Sequence, residues 1–341
     1  MSGFDLLINQ ERPIRILTTL LKNRTLPHAL LFTGTAGVGK QAAALALAMA
    51  CNCRGETSGF IAEDGFEQEP AGPELELCGV CKSCRKIAAN NHPDIIQVQP
   101  SGPFIKIEQI RTVLQTLARK PYEAKTRVVI ILEAQCMNAS ASNALLKILE
   151  EPPDRSMLVL IANHRSDLLA TIASRCQPVQ FNRISPKRIA SWIVKERDLN
   201  PQTADIIAAM ANGSLSNART MIDENWWQGR KWLIAELQHL SLQPAARLLA
   251  LAEKFAREKE SLAGRLEIIK SWFRDLIINP YDRRKVINQD VSDRIKEAAV
   301  KTDTRVHLSK LDAVQKMQSR LKANTNLRLS IEKLLIELAK P

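Results

Sequence analysis

A glycine-rich stretch near the N-terminus limits the folds open to this chain. Residues 34–41 read Gly-Thr-Ala-Gly-Val-Gly-Lys-Gln and match the phosphate-binding pattern G-x-x-x-x-G-K-[ST] at every position but the last. A loop of this kind joins a buried strand to a helix. The flanking residues agree, because 28–32 is an apolar run of strand length and 41–51 predicts an apolar helix. The loop therefore predicts an α/β fold with a parallel sheet.

Both positions that would hold a magnesium ion in a nucleotide hydrolase are altered. Gln41 stands where the pattern has a hydroxyl, and the strand predicted at 127–132 ends in Leu132-Glu133, where an ATPase has an aspartate before the glutamate. Leucine offers no ligand atom and a carboxamide coordinates weakly. Two defects at one ion indicate a fold that is kept for something other than hydrolysis.

The loop itself retains the groups that bind phosphate. Backbone amides after the glycines and the lysine could cradle ATP or ADP without magnesium, so binding without hydrolysis stays open. The candidate nucleotide-binding residues of this degenerate loop are Gly34, Gly37, Gly39, Lys40 and Gln41.

Five of the seven cysteines lie between residues 51 and 84. Cys78, Cys81 and Cys84 form two overlapping C-x-x-C turns, which allow successive thiolates to face one ion, and Cys53 or Cys51 would supply a fourth ligand. This pattern predicts a structural zinc site. A redox motif needs only two cysteines, and an all-cysteine zinc site leaves no open position for catalysis.

Periodicity predicts the remaining elements. Helices are expected at 11–23, 107–118 and 139–150, and strands at 94–98 and 157–162. Residues 55–74, rich in Gly, Glu and Pro, read as a loop-like insertion. Beyond Phe181 the strand pattern ends, and breaks at Asn-Pro and Asn-Gly pairs divide the rest into helices. We expect an all-helical C-terminal region.

Composition narrows the class of protein. A chain of 341 residues with 45% hydrophobic and 25% charged residues is typical of a soluble, globular protein of two or three domains. Its apolar runs are shorter than the roughly 20 residues of a membrane span, and the first residues lack a signal-like pattern, so we expect a cytoplasmic protein. The net charge of +12 favours an acidic partner, either nucleic acid or protein; lysines scattered over solvated helices are the alternative.

Several motifs in fixed order carry a family resemblance. They are the phosphate-binding loop, the Cys-Gly-Val-Cys-x-x-Cys-Arg stretch, the strand before Glu133, the run Ser142 to Pro153, and Ser174-Arg175-Cys176. Together they resemble bacterial clamp-loader subunits of the AAA+ class in DNA polymerase III. The altered magnesium positions resemble the delta-prime family rather than the tau/gamma ATPase.

The resemblance implies a domain organisation. A P-loop AAA+ parallel-sheet domain would span 1–181, with an inserted four-cysteine zinc module at about 51–90. A small helical lid would span 182–223, and an all-helical collar that joins subunits would span 224–341.

The resemblance also implies roles for individual residues. Arg175 would act as a trans-acting arginine finger in the ATP site of a neighbouring subunit. Arg219 stands where the family has a second nucleotide-sensing arginine, and Asn163 takes the place of the sensor-one residue. The family-like distance from Lys40 favours Cys53 over Cys51, so that the implied zinc ligands are Cys53, Cys78, Cys81 and Cys84.

The function implied by the resemblance is that of a non-hydrolysing stator. It would help load the sliding clamp onto primed DNA within the DNA polymerase III holoenzyme, a nucleotidyltransferase complex, in a hetero-oligomer with tau/gamma and delta subunits. One alternative is an active clamp-loader ATPase of the tau/gamma type, with Glu133 as the base. Another is a free zinc-dependent DNA-binding module.

Overall fold

The computed structural model describes residues 4, 7–55, 77–321 and 326–340. The chain divides into two compact units, Met1–Ile184 and Ser185–Pro341. The insertion expected at 55–74 lies outside the described residues from position 56 onward. The three-part division with boundaries at 181 and 223 stays a prediction. Within the described ranges, no helix has both the length and the apolar character that crossing a bilayer requires.

The first unit is a five-stranded parallel sheet with helices on both faces. Its strands are β1 (Ala29–Thr33), β2 (Ile95–Val98), β3 (Arg127–Ile131), β4 (Ser156–Ala162) and β5 (Gln177–Gln180), in the order β2-β3-β4-β1-β5. Its helices are α1 (Glu11–Lys22), α2 (Lys40–Asn52), α3 (Lys82–Ala88), α4 (Ile107–Leu117), α5 (Ala139–Glu150) and α6 (Ala170–Arg175). The predicted α/β fold class is confirmed.

Alternation along the strands divides the core of this unit into two layers. In β3, Val128 and Ile130 pack in the layer that contains the core residues of α1, α2 and α3. Val129 and Ile131 pack in the layer of α4, α5 and α6. The inner strands are buried on both faces and are therefore apolar at almost every position. The loop after the inner strand β1 leaves the carboxyl edge of the sheet, where parallel α/β folds bind ligands.

Short elements account for the differences between the sequence prediction and the structure. Helices α3 and α6 and strand β5 were not predicted, because each is too short to show a periodic pattern of apolar residues. In β5 only Val179 is buried, and Pro178 is tolerated because the strand lies at the edge of the sheet. Helix α5 has the predicted bounds, with the Asn138 side chain accepting the Ala141 N–H at its start. Strand β3 ends at Ile131, one residue earlier than predicted.

The second unit is helical, and no strand occurs among the residues described there. Its helices are α7 (Pro186–Arg197), α8 (Pro201–Met210), α9 (Leu215–Asp223), α10 (Trp226–Gln238), α11 (Ala245–Arg257), α12 (Leu262–Ile278), α13 (Ser292–Lys301), α14 (Thr304–Leu321) and α15 (Leu327–Ala339). The core is centred on α12, where Trp272 and Leu266 are fully buried. The predicted helical C-terminal region is confirmed.

Candidate functional site

The glycine-rich loop adopts a backbone that its glycines make possible. Gly34, Gly37 and Gly39 have φ angles of 140°, 77° and 103°, in the region that favours glycine. A Cβ on Gly34 would lie 2.5 Å from the Phe181 carbonyl oxygen, and one on Gly39 would lie 2.8 Å from Leu7 Cδ2. The loop is therefore closely packed between the N-terminal segment and the residue that follows β5.

Lys40 is turned towards its own loop. Its Nζ donates hydrogen bonds to the carbonyl oxygens of Gly34 and Thr35, the second at 2.9 Å. The side chain is buried, and desolvation lowers the pKa of the ammonium group to about 8. A bound phosphate would have to compete with these carbonyl groups for the same donors.

Neutral and apolar groups occupy the place of the magnesium ligands. Gln41 Nε2 donates to Gln97 Oε1 at 3.0 Å, and Gln97 Nε2 donates to Asn90 Oδ1 at 2.7 Å. Leu132 is half-buried and packs against the core layer of α2. Glu133, exposed directly after Leu132, retains a carboxylate at this end of β3. The arrangement offers a divalent cation far fewer oxygen ligands than a nucleotide hydrolase does.

Asn163 and Arg219 lie in different units. The Asn163 carbonyl accepts the Gly34 N–H at 3.0 Å, so the position predicted for sensor one is next to the phosphate-binding loop. Arg219 belongs to the second unit, where its guanidinium carbon lies 5.0 Å from the centroid of the Trp192 ring. Its nucleotide-sensing role stays a prediction.

Arg175 is the last residue of α6 and is exposed. Its guanidinium pairs with Glu150 Oε1 at 3.0 Å and donates to the Thr171 carbonyl at 3.1 Å. Both charged side chains are accessible to solvent, with 39% and 52% of their surfaces exposed. An exposed ion pair of this kind contributes only about 0–1 kcal/mol. Arg175 is therefore available to a partner at small cost.

Four cysteine sulfurs lie close enough together to share one metal ion. They belong to Cys53, Cys78, Cys81 and Cys84, and all lie within 4.8 Å of one another. The Sγ atoms of Cys53 and Cys78 are 3.3 Å apart, and those of Cys78 and Cys84 are 3.9 Å apart. A tetrahedral site with zinc–sulfur bonds of about 2.3 Å has sulfurs about 3.8 Å apart. Cys51 lies outside this cluster, since α2 continues to Asn52 and Cys53 is the first residue beyond it.

Backbone N–H groups favour the thiolate form of Cys81, whereas burial raises the pKa of the Cys84 thiol. The N–H groups of Cys81 and Cys84 point at the sulfurs of Cys78 and Cys81, at 3.4 and 3.5 Å. Burial alone would raise the pKa of the Cys81 thiol, but N–H donors from Arg54 and Cys84 and the neighbouring sulfurs lower it to about 6. A Cβ on Gly55 would lie 2.7 Å from Cys78 Sγ, so glycine is needed there. The donor set fits a closed, structural metal site.

A buried ion pair stabilises the segment that precedes β3, beside the cysteine cluster. The periodicity of the sequence did not predict it. Asp94 precedes β2 and pairs with Arg127 at 2.8 Å. Its carboxylate also accepts the N–H groups of Tyr122, Glu123 and Ala124 at 2.8–2.9 Å. Arg127 donates in turn to the carbonyl groups of the preceding segment, including Arg119 and Lys120. The sequence feature that could have indicated this ion pair is a charged residue at the start of each of two apolar strands.

We predict that Asp94→Asn destabilises the first unit by about 3–5 kcal/mol, because Arg127 would remain buried without its counter-ion. Burial would raise the pKa of Asp94, but the three N–H donors and Arg127 lower it to about 2. The stabilisation is therefore full at neutral pH and decreases as the pH falls from about 4 towards about 2.

Hydrogen exchange of the β2 and β3 amides measures this effect, because all five tryptophans lie in the second unit and their fluorescence does not report on the first. Asp154→Asn, at an exposed position, is the control. Equal exchange in both variants at neutral pH would show that the ion pair contributes little.

Comparisons with known proteins agree with the predicted family. A family model described as DNA polymerase III, delta subunit, matches residues 9–185, and a second model, for the C-terminal region of the delta subunit, matches residues 224–340. The "DNA polymerase III subunit delta'" of Bacillus subtilis (strain 168) is 31% identical over 333 residues, 96% of each chain. That of Pseudomonas aeruginosa is 30% identical over 333 residues, 92% of each chain.

The relatives named tau are matched over less of their length. The "DNA polymerase III subunit tau" of Bacillus subtilis is 29% identical over 226 residues, which make up 65% of this chain and 37% of that protein. The similarity to delta' proteins extends instead over nearly the whole chain, through both units. The chain belongs to the delta-prime family of DNA polymerase III subunits.

Proposed function

We propose that this chain is a non-hydrolysing subunit of the clamp loader, which helps its neighbours place the sliding clamp on primed DNA. Its neighbours would be the tau/gamma and delta subunits, in a hetero-oligomer. The observations that carry the proposal are the hydrogen bond of the Gln41 side chain to Gln97 and the packing of Leu132 against the core. A loop without its magnesium ligands loses the cation that neutralises charge during phosphoryl transfer.

Nucleotide binding is separable from turnover. The backbone amides of the loop and the N-terminus of α2 favour a phosphate, and Lys40 could reach it by leaving the two carbonyl groups that it now contacts. We propose that any ATP or ADP bound there is not hydrolysed. The bound nucleotide would then stabilise the first unit rather than drive a cycle.

Arg175 supports a catalytic contribution to another subunit. A guanidinium can stabilise the charge on a phosphoryl group in transfer, and arginine fingers supplied from outside a site raise the rate by roughly 10³–10⁵. Arg175 is exposed, ends a short helix and has a weak ion pair as its main contact. We propose that it completes the ATP site of the adjacent motor subunit.

The metal centre has a structural role in this proposal. Zinc is the ion that four cysteine thiolates in tetrahedral arrangement suit best. The cluster joins the end of α2 to the start of α3. The ion would hold them together, and the site has no open position for chemistry.

An ATPase of the tau/gamma type is the competing function, and Glu133 is the observation in its favour. This glutamate lies two residues after the end of β3 and is exposed, where a base would act on water. A glutamate alone does not replace the magnesium ligands that Gln41 and Leu132 fail to supply.

Phosphate release from ATP by the purified chain tests the proposal. We expect no release above the background without protein, while a purified tau/gamma subunit under the same conditions turns over. Steady release by this chain that is abolished in Glu133→Gln would make it a motor and overturn the proposal.

A further inference from the structure

One surface of the first unit carries many cations and one acidic group. It consists of residues 53–55, α3 with its flanking turns at 77–92, and the segment 118–126; it is called the basic face below. Its basic residues are Arg54, Lys82, Arg85, Lys86, Arg119, Lys120 and Lys125. Glu123 is the acidic residue within these stretches. Asp94 follows the second stretch, and its carboxylate is buried in the ion pair with Arg127.

Contacts through Glu123 and the metal centre make these stretches one surface. Lys86 Nζ pairs with the Glu123 carboxylate at 2.5 Å, and the Arg54 guanidinium donates to the Glu123 carbonyl at 2.6 Å. Lys125 Nζ donates to the Cys53 carbonyl at 3.3 Å. The segment 118–126 therefore lies against α3 and the cysteine cluster.

Four cations of the basic face remain available to a ligand. Lys82, Arg85, Arg119 and Lys120 are exposed, and their side chains form no ion pair or hydrogen bond with the described residues. A dication bound by four thiolates would carry a net charge of about −2. That charge does not cancel the seven basic residues. With Glu123 counted as well, the residues of the basic face retain a net charge of about +4.

A fixed aromatic ring stands within this charge. Tyr122 is 85% exposed, although its backbone N–H is bound to the buried Asp94 carboxylate at 2.9 Å. The polypeptide thus presents an apolar ring to solvent from a rigid position. Cations that follow a phosphate backbone, together with an exposed aromatic ring on which a base can stack, are the two features that bind unpaired nucleic acid strands.

We propose that the basic face binds single-stranded nucleic acid. Lys82, Arg85, Arg119 and Lys120 contact phosphates, and Tyr122 stacks on one base. A duplex keeps its bases stacked on one another and offers this ring no partner. The inference goes beyond the proposed clamp-loader function and does not depend on it, since it involves neither ATP nor Arg175.

Fluorescence anisotropy of a labelled oligothymidylate titrated with the full chain tests the proposal. Lys82→Glu/Arg85→Glu is expected to weaken binding at least tenfold and to reduce the slope of log Kd against log salt by roughly 1.4, since each phosphate contact contributes about 0.7. Tyr122→Ala is expected to weaken binding about tenfold with an unchanged slope. Lys187→Glu/Arg188→Glu, an equal charge change at exposed positions of α7, is expected to bind within about twofold of wild type.

Several outcomes would overturn the proposal. Wild-type chain that binds no oligothymidylate at low salt, or a control variant that loses as much affinity as Lys82→Glu/Arg85→Glu, would remove the site. Equal affinity for a duplex of the same length would remove the role of Tyr122. Tighter binding of oligoglutamate than of oligothymidylate would identify an acidic polypeptide as the ligand. Unchanged metal content and secondary structure establish that each variant is folded.

A nearby stretch of sequence requires one more control. Residues 56–76 contain no lysine or arginine, and their acidic residues are Glu56, Glu63, Asp64, Glu67, Glu69, Glu74 and Glu76. The titrations are repeated with these seven changed to glutamine or asparagine. The loss in Lys82→Glu/Arg85→Glu is expected in both backgrounds. A loss that disappears in the neutralised background would mean that these cations act on the acidic stretch, which would overturn the proposal.

Discussion

Replacing Arg175 with alanine is expected to lower the ATPase rate of the reconstituted clamp loader, with clamp and primed DNA, at least tenfold. The ATP site of the neighbouring subunit would then lack the proposed guanidinium that stabilises charge on the transferred phosphoryl group. The chain itself should fold normally, because Arg175 is exposed and its pair with Glu150 contributes little. Phosphate release under single-turnover conditions separates this effect from product release.

The matched control for Arg175→Ala is Glu150→Gln. It breaks the same ion pair at 3.0 Å but leaves the guanidinium in place. We expect this variant to retain the wild-type rate, because the proposed finger would act on the neighbouring subunit and not on Glu150. An unchanged rate in Arg175→Ala would leave this arginine with a structural role, and an equal loss in both variants would assign the effect to the ion pair.

Removal of one cysteine from the metal centre is expected to have the second large effect. Cys84→Ser should lower zinc affinity roughly a hundredfold or more, since one of four strong ligands is lost and the site contributes folding free energy. Amides of α3 should then exchange with solvent much faster, because the proposed ion would join this helix to the end of α2. Metal analysis of the purified chain and hydrogen exchange are the measurements.

Cys51→Ser is the control for the metal centre. Cys51 lies two residues before Cys53 but outside the cluster, so this variant should retain about one zinc ion per chain. Loss of zinc in Cys51→Ser with retention in Cys53→Ser would reverse the assignment of the fourth ligand. Absence of zinc from wild-type chain purified without chelator would contradict the proposed ion.

The elements that could be predicted are those whose conformation is determined by residues close together in the sequence. Helix α5 was predicted with its correct bounds, since Pro152 and Pro153 mark its end, and the structure adds the Asn138 cap at its start. The loop at 34–39 was recognised because positive φ angles require its glycines. Buried strands β1, β3 and β4 were recognised from continuous apolar runs, with errors of one residue at their ends.

Other features depend on contacts between distant residues and could not be read from the sequence. The residues alone left Cys51 and Cys53 open and the family resemblance favoured Cys53; in the structure the end of α2 and the approach of 78–84 bring the Cys53 sulfur to the other three. The pair of Asp94 with Arg127 joins residues 33 positions apart, and the bond of Gln41 to Gln97 joins residues 56 positions apart. Strand β5 has a single buried residue, so its sequence shows no repeating pattern of apolar residues.

We propose that this chain does not hydrolyse ATP in the clamp loader but contributes Arg175 to the ATP site of a neighbouring subunit. The most direct test compares Lys40→Met with Arg175→Ala in otherwise wild-type loader, measuring ATP hydrolysis during clamp loading on primed DNA. Lys40→Met disables the phosphate-binding loop of this chain and keeps an unbranched side chain in the buried site. We expect a wild-type rate with Lys40→Met and at least a tenfold lower rate with Arg175→Ala. A fall with Lys40→Met and none with Arg175→Ala would contradict this proposal.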